Sequence, residues 1–205
     1  MTTRHSRCGT LLGLVMALSA GCGTGDQTGV PQPVPIPKSS QLRATGSDNV
    51  GEIDVFGLPG AVSAAGRVEV RGPNGSASAR STDAGTFFTM VAARLGDVLS
   101  VTWEGSQPVT ITVGSKEGTT QGVPEAAVDK VAGDLLTLTV TVVAGLEYIV
   151  ANTNTGDVVI EAADAAGALT FTIRASSGDE LRLYTDVGDA ANGGSLAEPT
   201  VLVVP

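Results

Sequence analysis

The sequence predicts an all-β protein built from two tandem domains of about 70 residues each. Three observations predict it. Short stretches rich in Val, Ile and Thr alternate apolar and polar residues with a period of two, bounded by Gly, Asn and Asp. No segment sustains a helical period. The pattern "AGTFFTMVAARLGDVLSV" at 84–101 also returns without gaps as "AGALTFTIRASSGDELRL" at 166–183. Gly85 pairs with Gly167, Gly96 with Gly178, Asp97 with Asp179 and Leu99 with Leu181. Short strands at this spacing close a sandwich or a barrel. Each copy is long enough to close its own core, so tandem domains are expected rather than solenoid turns.

The elements follow in order. Residues 1–21 begin with Arg4 and Arg7, continue in the apolar run "LLGLVMALSA" at 11–20, and lead through small residues to Cys22. Ten apolar residues suit a signal-peptide core and are about half of the roughly 20 that a membrane-spanning helix needs. Residues 22–41 form a tether. In "GTGDQTGVPQPVPIPKSSQ", Pro31, Pro33, Pro35 and Pro37 hold the backbone extended, with a reach of roughly 60 Å at about 3.1 Å per residue.

The first domain is expected at 42–115, with strands at 52–56, 67–71, 86–92, 98–103 and 109–113. A turn-rich linker, "KEGTTQGVPEAAVDKVAG", follows over 116–133. The second domain, 134–205, has strands at 135–143, 148–151, 158–162, 168–174, 181–184 and 200–204. Upstream of the main repeat, "GRVEV" at 66–70 matches "GDVVI" at 156–160, with a Pro-Asn-Gly turn at 73–75 lengthening the first copy.

Two resemblances add to this. "LSAGC" at 18–22 resembles the lipobox of bacterial lipoproteins, although Ser19 stands where a branched aliphatic residue is commoner. It implies that Cys22 is acylated and becomes the mature N-terminus; a plain signal peptide with a chance cysteine is the alternative. With Gly23 rather than Asp after the cysteine, the resemblance implies a bacterial envelope protein held by lipid, at the outer membrane where the host has one. The repeated core, through "DAGTF" (83–87), "AAGALTFTI" (165–173), "GDVLSV" and "GDELRL", resembles bacterial immunoglobulin-like domains found in tandem on surface proteins. That implies Greek-key sandwiches with structural, adhesive or binding duties. The pattern is shared with the regulatory-like modules beside some carboxypeptidases, which implies a glycan- or ligand-binding accessory module as the rival function.

Charge and residue types exclude much chemistry. The chain has 12 Lys+Arg against 21 Asp+Glu. Residues 1–21 hold two arginines and no acid, so the mature balance is 10 against 21, net −11. Such a surface repels nucleic acid, and no nucleic-acid partner is expected. Processing also removes His5 and Cys8. Without His or a free Cys, neither a Ser-His-Asp nor a Cys-His nucleophile can form, and zinc loses its usual ligands. Paired carboxylates remain, but no aromatic platforms accompany them, so an enzyme is not expected. No cofactor is expected either.

The candidate sites are correspondingly few. Cys22 is the lipid attachment point. In "DVGDAANGG" (186–194), Asp186, Asp189 and Asn192 offer oxygens to calcium, without EF-hand spacing and in a loop where Asp and Asn are ordinary. Carrying the register of Leu169, Phe171 and Ile173 back to the first copy turns Phe87, Thr89 and Val91 inward and leaves Phe88 and Met90 outward. Trp103, in phase with Leu99 and Val101, reads as core. Phe88 and Met90 then form a binding patch, touch the other domain, or mark a bulge. The expected partners are a membrane, through the lipid, and a protein or glycan.

Overall fold

Alternation decides which face of each strand is buried. Along Ala168–Arg174, Leu169, Phe171 and Ile173 are buried while Ala168, Thr170, Thr172 and Arg174 are exposed. The computed structural model describes residues 32–119, 127–130, 134–186 and 195–204. The chain enters the fold at Pro37, which is buried, and the Lys38 N–H donates to the Ala61 carbonyl at 2.8 Å. The tether therefore ends a few residues before 41. Cys22 and the signal segment lie outside the described residues.

The first seven strands are β1 (Leu42–Gly46), β2 (Gly51–Gly57), β3 (Arg67–Gly72), β4 (Gly75–Arg80), β5 (Phe87–Ala93), β6 (Val98–Trp103) and β7 (Val109–Thr112). They pair as β1-β2-β5 and β4-β3-β6-β7. After β8 (Gly114–Thr119) come β9 (Ala127–Lys130), β10 (Leu135–Thr141), β11 (Glu147–Asn152), β12 (Val158–Ala162), β13 (Ala168–Arg174), β14 (Glu180–Asp186), β15 (Leu196–Glu198) and β16 (Thr200–Val203). These pair as β9-β10-β13 and β12-β11-β14-β16. The same connectivity is thus drawn twice. In each unit, the second and fifth strands pair while the third and fourth cross to the facing sheet, an immunoglobulin-like Greek key.

Each unit has its own core. Leu42, Val55, Phe87 and Val91 face Val68, Val70, Leu99 and Val101 in the first. Leu138, Leu169, Phe171 and Ile173 face Tyr148, Val150, Leu181 and Leu183 in the second. Trp103 is partly buried against the first core, its indole N–H donating to Ser81 Oγ at 3.3 Å.

The repeated Gly and Asp residues are scaffold. Gly85 and Gly167 have φ of +73° and +79°, and a Cβ on either would sit 2.1 Å from the Val62 carbonyl oxygen or 2.4 Å from that of Val142. Asp97 accepts the Arg94 N–H at 3.0 Å, as Asp179 accepts that of Ser176 at 2.9 Å.

Two sequence readings change. The upstream match of 66–70 with 156–160 aligns β3 with β12, but by connectivity β3 corresponds to β11 and β4 to β12. Gly156 is a turn residue (φ +78°), and the supposed insertion at 73–75 lies at the β3–β4 hairpin turn, which corresponds to the β11–β12 turn. The segment 116–133 also carries strand. β8 runs parallel to β1 (Thr45↔Gly114) and to β15 (Leu196↔Lys116), which joins strands of both units into one nine-stranded sheet, while β9 pairs with β10. Residues 33–205 form one compact unit.

Candidate functional site

A cluster of buried polar and aromatic side chains lies where the outer face of β2 and β5 meets the outer face of β11, β12 and β14. Pleating puts Asp54 and Phe56 on the outer side of β2, and register sets them opposite Met90 and Phe88 of β5. On the strands of the second unit Ile149 is opposite Tyr184, and Ala151 is opposite Arg182. Phe56, Leu58, Phe88, Ile149, Ala151, Val158, Tyr184 and Leu196 form one buried cluster. The Phe56 ring lies 5.1 Å from that of Tyr184 and 6.3 Å from that of Phe88.

Asp54 sits at the polar edge of this cluster. Arg182 Nη1 donates to Asp54 Oδ1 at 2.5 Å, and the Tyr184 hydroxyl donates to Asp54 Oδ2 at 2.5 Å. Arg182 also donates to Glu180 Oε1 at 2.8 Å and stands 5.7 Å over the Phe88 ring. Burial pushes the Tyr184 phenol well above its ordinary range, and the neighbouring Asp54 charge pushes it further. Burial opposes the charge on Arg182, but its hydrogen bonds to Glu180 and Asp54 outweigh that and hold the guanidinium above its usual value. Beside them Arg43 Nη2 meets Asp186 Oδ2 at 3.0 Å, both side chains buried. Arg43 Nε and Asp186 Oδ1 have no hydrogen-bond partner among the described residues. Thr86 Oγ1 donates to the Gly156 carbonyl at 2.9 Å, adding a neutral contact across the junction.

The repeat makes the specialisation of these faces visible. Asp54, Phe56, Phe88 and Met90 occupy the positions that Thr137, Thr139, Thr170 and Thr172 occupy in the second unit, where the hydroxyls pair across strands at 3.2 and 3.1 Å. Ile149, Ala151, Arg182 and Tyr184 occupy the positions of Glu69, Arg71, Ser100 and Thr102 in the first. One aromatic-apolar face from each unit is buried at the junction. Their counterparts are polar and open.

Phe88 does point away from its own core, as the carried register requires, and is covered by the second unit. It is therefore not a patch open to an outside partner; Met90 is 41% exposed. Asp186 is engaged by Arg43, while Asp189 and Asn192 lie outside the described residues. Among the described residues no three His, Cys, Asp or Glu side chains are placed to hold a metal. Asp54, Arg182, Tyr184 and Arg43 were not singled out from the sequence. The signal for three of them was in the repeat, where Asp54 replaces Thr137, and Arg182 and Tyr184 replace Ser100 and Thr102.

Open grooves among the described residues include the following two. One, of about 320 Å³, lies between the units and is lined by Asp83, Asp134, Asp157, Arg174 and Ser/Thr hydroxyls. The other, of about 390 Å³, lies on the outer face of β3 and β6, lined by Arg67, Glu69, Arg71, Thr102, Glu104 and Gly105.

No family model and no curated protein matches the chain. Similar solved structures include the human OSCAR ligand-binding domain, at 13% identity and TM-score 0.32 over 84% of this chain and 100% of that one. A putative carbohydrate-binding protein from Bacteroides uniformis has 12% identity and TM-score 0.25 over 80% and 97%. A structure concerning host-cell-surface retention of a 1.5-MDa bacterial ice-binding adhesin has 15% identity and TM-score 0.28 over 84% and 65%. Function therefore rests on this chain's own geometry.

Proposed function

We propose that the chain is a non-enzymatic envelope lipoprotein, held by acylated Cys22 at the outer membrane, whose two immunoglobulin-like domains serve adhesion or scaffolding. The observation that carries this reading is the junction. Phe56, Phe88 and Tyr184, three of the chain's few aromatics, with the buried Asp54 and the half-buried Arg182, fix one unit against the other. Directional hydrogen bonds specify an orientation where apolar contact alone would permit sliding. A fixed pair of sandwiches on an extended Pro-rich tether suits a spacer or display element that bears load and presents surfaces.

The absence of His and of free Cys from the mature chain supports a role without catalysis. Palmitate labelling and adherence of cells expressing the full chain or its Cys22→Ala variant test the reading. Wild-type protein is expected to carry label and fractionate with membranes, and the variant to lose label, membrane association and any adherence conferred by the wild type. Label retained by the variant, or adherence unchanged by it, contradicts the proposal.

A further inference from the structure

We propose that the open face of β3, β4 and β6 binds an acidic polysaccharide in which carboxylated sugars alternate with neutral ones, Arg67 and Arg80 together taking a carboxylate. This rests on the adhesive reading above and supplies its partner class. Arg67 and Arg80 are directly opposite each other in the β3–β4 ladder, and both are exposed. Like charges placed opposite one another across strands work against the sheet. Neither guanidinium has a hydrogen-bond or ion-pair partner among the described residues; it is the Arg67 backbone that engages Glu104, its N–H donating to Glu104 Oε1 and its carbonyl accepting the Glu104 N–H at 2.8 Å. A destabilising pair of unpaired forks on a chain of net charge −9 fits an anion that arrives from outside.

The surroundings suit a sugar. Arg71, on the same face, is held by Glu69 at 2.8 Å. Ser78 and Thr102 flank Glu69, and Ser76 and Ser100 flank Arg71, across the β3–β4 and β3–β6 ladders. Hydroxyls and carboxylates so placed can donate to and accept from sugar hydroxyls. The groove lined by Arg67, Glu69, Arg71, Thr102 and Glu104, about 390 Å³, falls within the roughly 300–1,000 Å³ of small-ligand sites, and Arg80 stands next to its Arg67 wall across the β3–β4 ladder rather than lining it.

Spaced carboxylates are favoured over dense ones, because the acidic remainder of the molecule repels a continuous polyanion. Nucleic acid also lacks a stacking platform here, since Trp103 is turned toward the core and bonded to Ser81. An anionic membrane lacks the run of basic residues that such surfaces need, the three arginines being offset by Glu69 and Glu104.

The test uses calorimetry at low salt with the full chain lacking only its signal segment and Cys22. The probes are a hyaluronan hexasaccharide, the same oligosaccharide with its carboxylates reduced to alcohols, and single-stranded DNA. Hyaluronan is expected to bind, with affinity reduced at least tenfold by carboxylate reduction and by the Arg67→Gln/Arg80→Gln double substitution. Both side chains are exposed and their like charges oppose each other, so the thermal midpoint of the double variant should be at or above that of the wild type. Arg174→Glu, which changes the net charge by the same two units on the outer face of β13, should leave binding unchanged. No binding of hyaluronan, equal binding of the reduced sugar, an unaffected double variant or equal binding of DNA would each overturn the proposal. A failure here leaves the Cys22→Ala result untouched, so the two readings can fail separately.

Discussion

Asp54 is a carboxylate 7% exposed, and it keeps its place because two donors from the other unit converge on it. Asp54→Ala should therefore cost about 3 kcal/mol in the urea-unfolding free energy, since it strands the Tyr184 hydroxyl and half-buried Arg182. Tyr184 gives the same contact a pH signature. Its folded pKa is raised, so its contribution is complete below the ordinary phenol value, about 10, and declines as pH rises above it, where the unfolded chain loses a proton that the folded one keeps. Stability should fall by an extra ~1.4 kcal/mol per pH unit above about pH 10, and Tyr184→Phe should remove that extra slope. Equal alkaline slopes in wild type and variant would contradict this. Phe88 and Met90 separate in the same way. Phe88→Ser should cost about 3–4 kcal/mol in the whole chain, and Met90→Ser no more than ~0.5.

At the scale of elements, the strands legible in the sequence were those with Val, Ile, Leu or Phe at alternating positions, such as Val98–Trp103, Val158–Ala162 and Ala168–Arg174, whose bounds were read as they stand in the structure. The strands missed were Leu42–Gly46, Gly75–Arg80, Gly114–Thr119, Ala127–Lys130 and Leu196–Glu198. They are short, or polar and rich in Gly, Ser and Ala, and hold their conformation by ladder pairing that local propensity does not encode. The repeated glycines were legible as turns, but their strictness was not. Gly96→Ala, at φ +82° with open space around it, should cost about 1–2 kcal/mol. Gly85→Ala should cost more, because its Cβ would also collide with the Val62 carbonyl. Urea midpoints of the two variants check the order. The β9 pairing makes a further claim on the segment read as linker: residues 127–205 should unfold at a higher urea midpoint than residues 134–205, which leave one edge of β10 unpaired.

At the scale of the molecule, the repeat shows that each unit is specialised on a different face. The junction joins unlike faces, and a head-to-tail contact of that kind could in principle propagate. The equivalent faces within these two units are not apolar. The face equivalent to Phe56 and Phe88 carries four threonines in the second unit, and the face equivalent to Ile149 and Tyr184 carries Glu69 and Thr102 in the first. The junction itself was only half legible in the sequence. Phe88 was visible as an outward aromatic, but what covers it depends on a relative placement that no local pattern records.

The most direct test of the claim that the junction fixes the two units is a distance measurement between them. Residues 32–205 contain no cysteine, so spin labels can be placed at Ser78→Cys on β4 and Thr172→Cys on β13, both exposed. Pulsed electron paramagnetic resonance should give one narrow distance distribution for the otherwise wild-type chain and a broad one when Asp54→Ala and Phe88→Ser are added. A broad distribution in the wild-type chain, or one left narrow and unmoved by those substitutions, would contradict it.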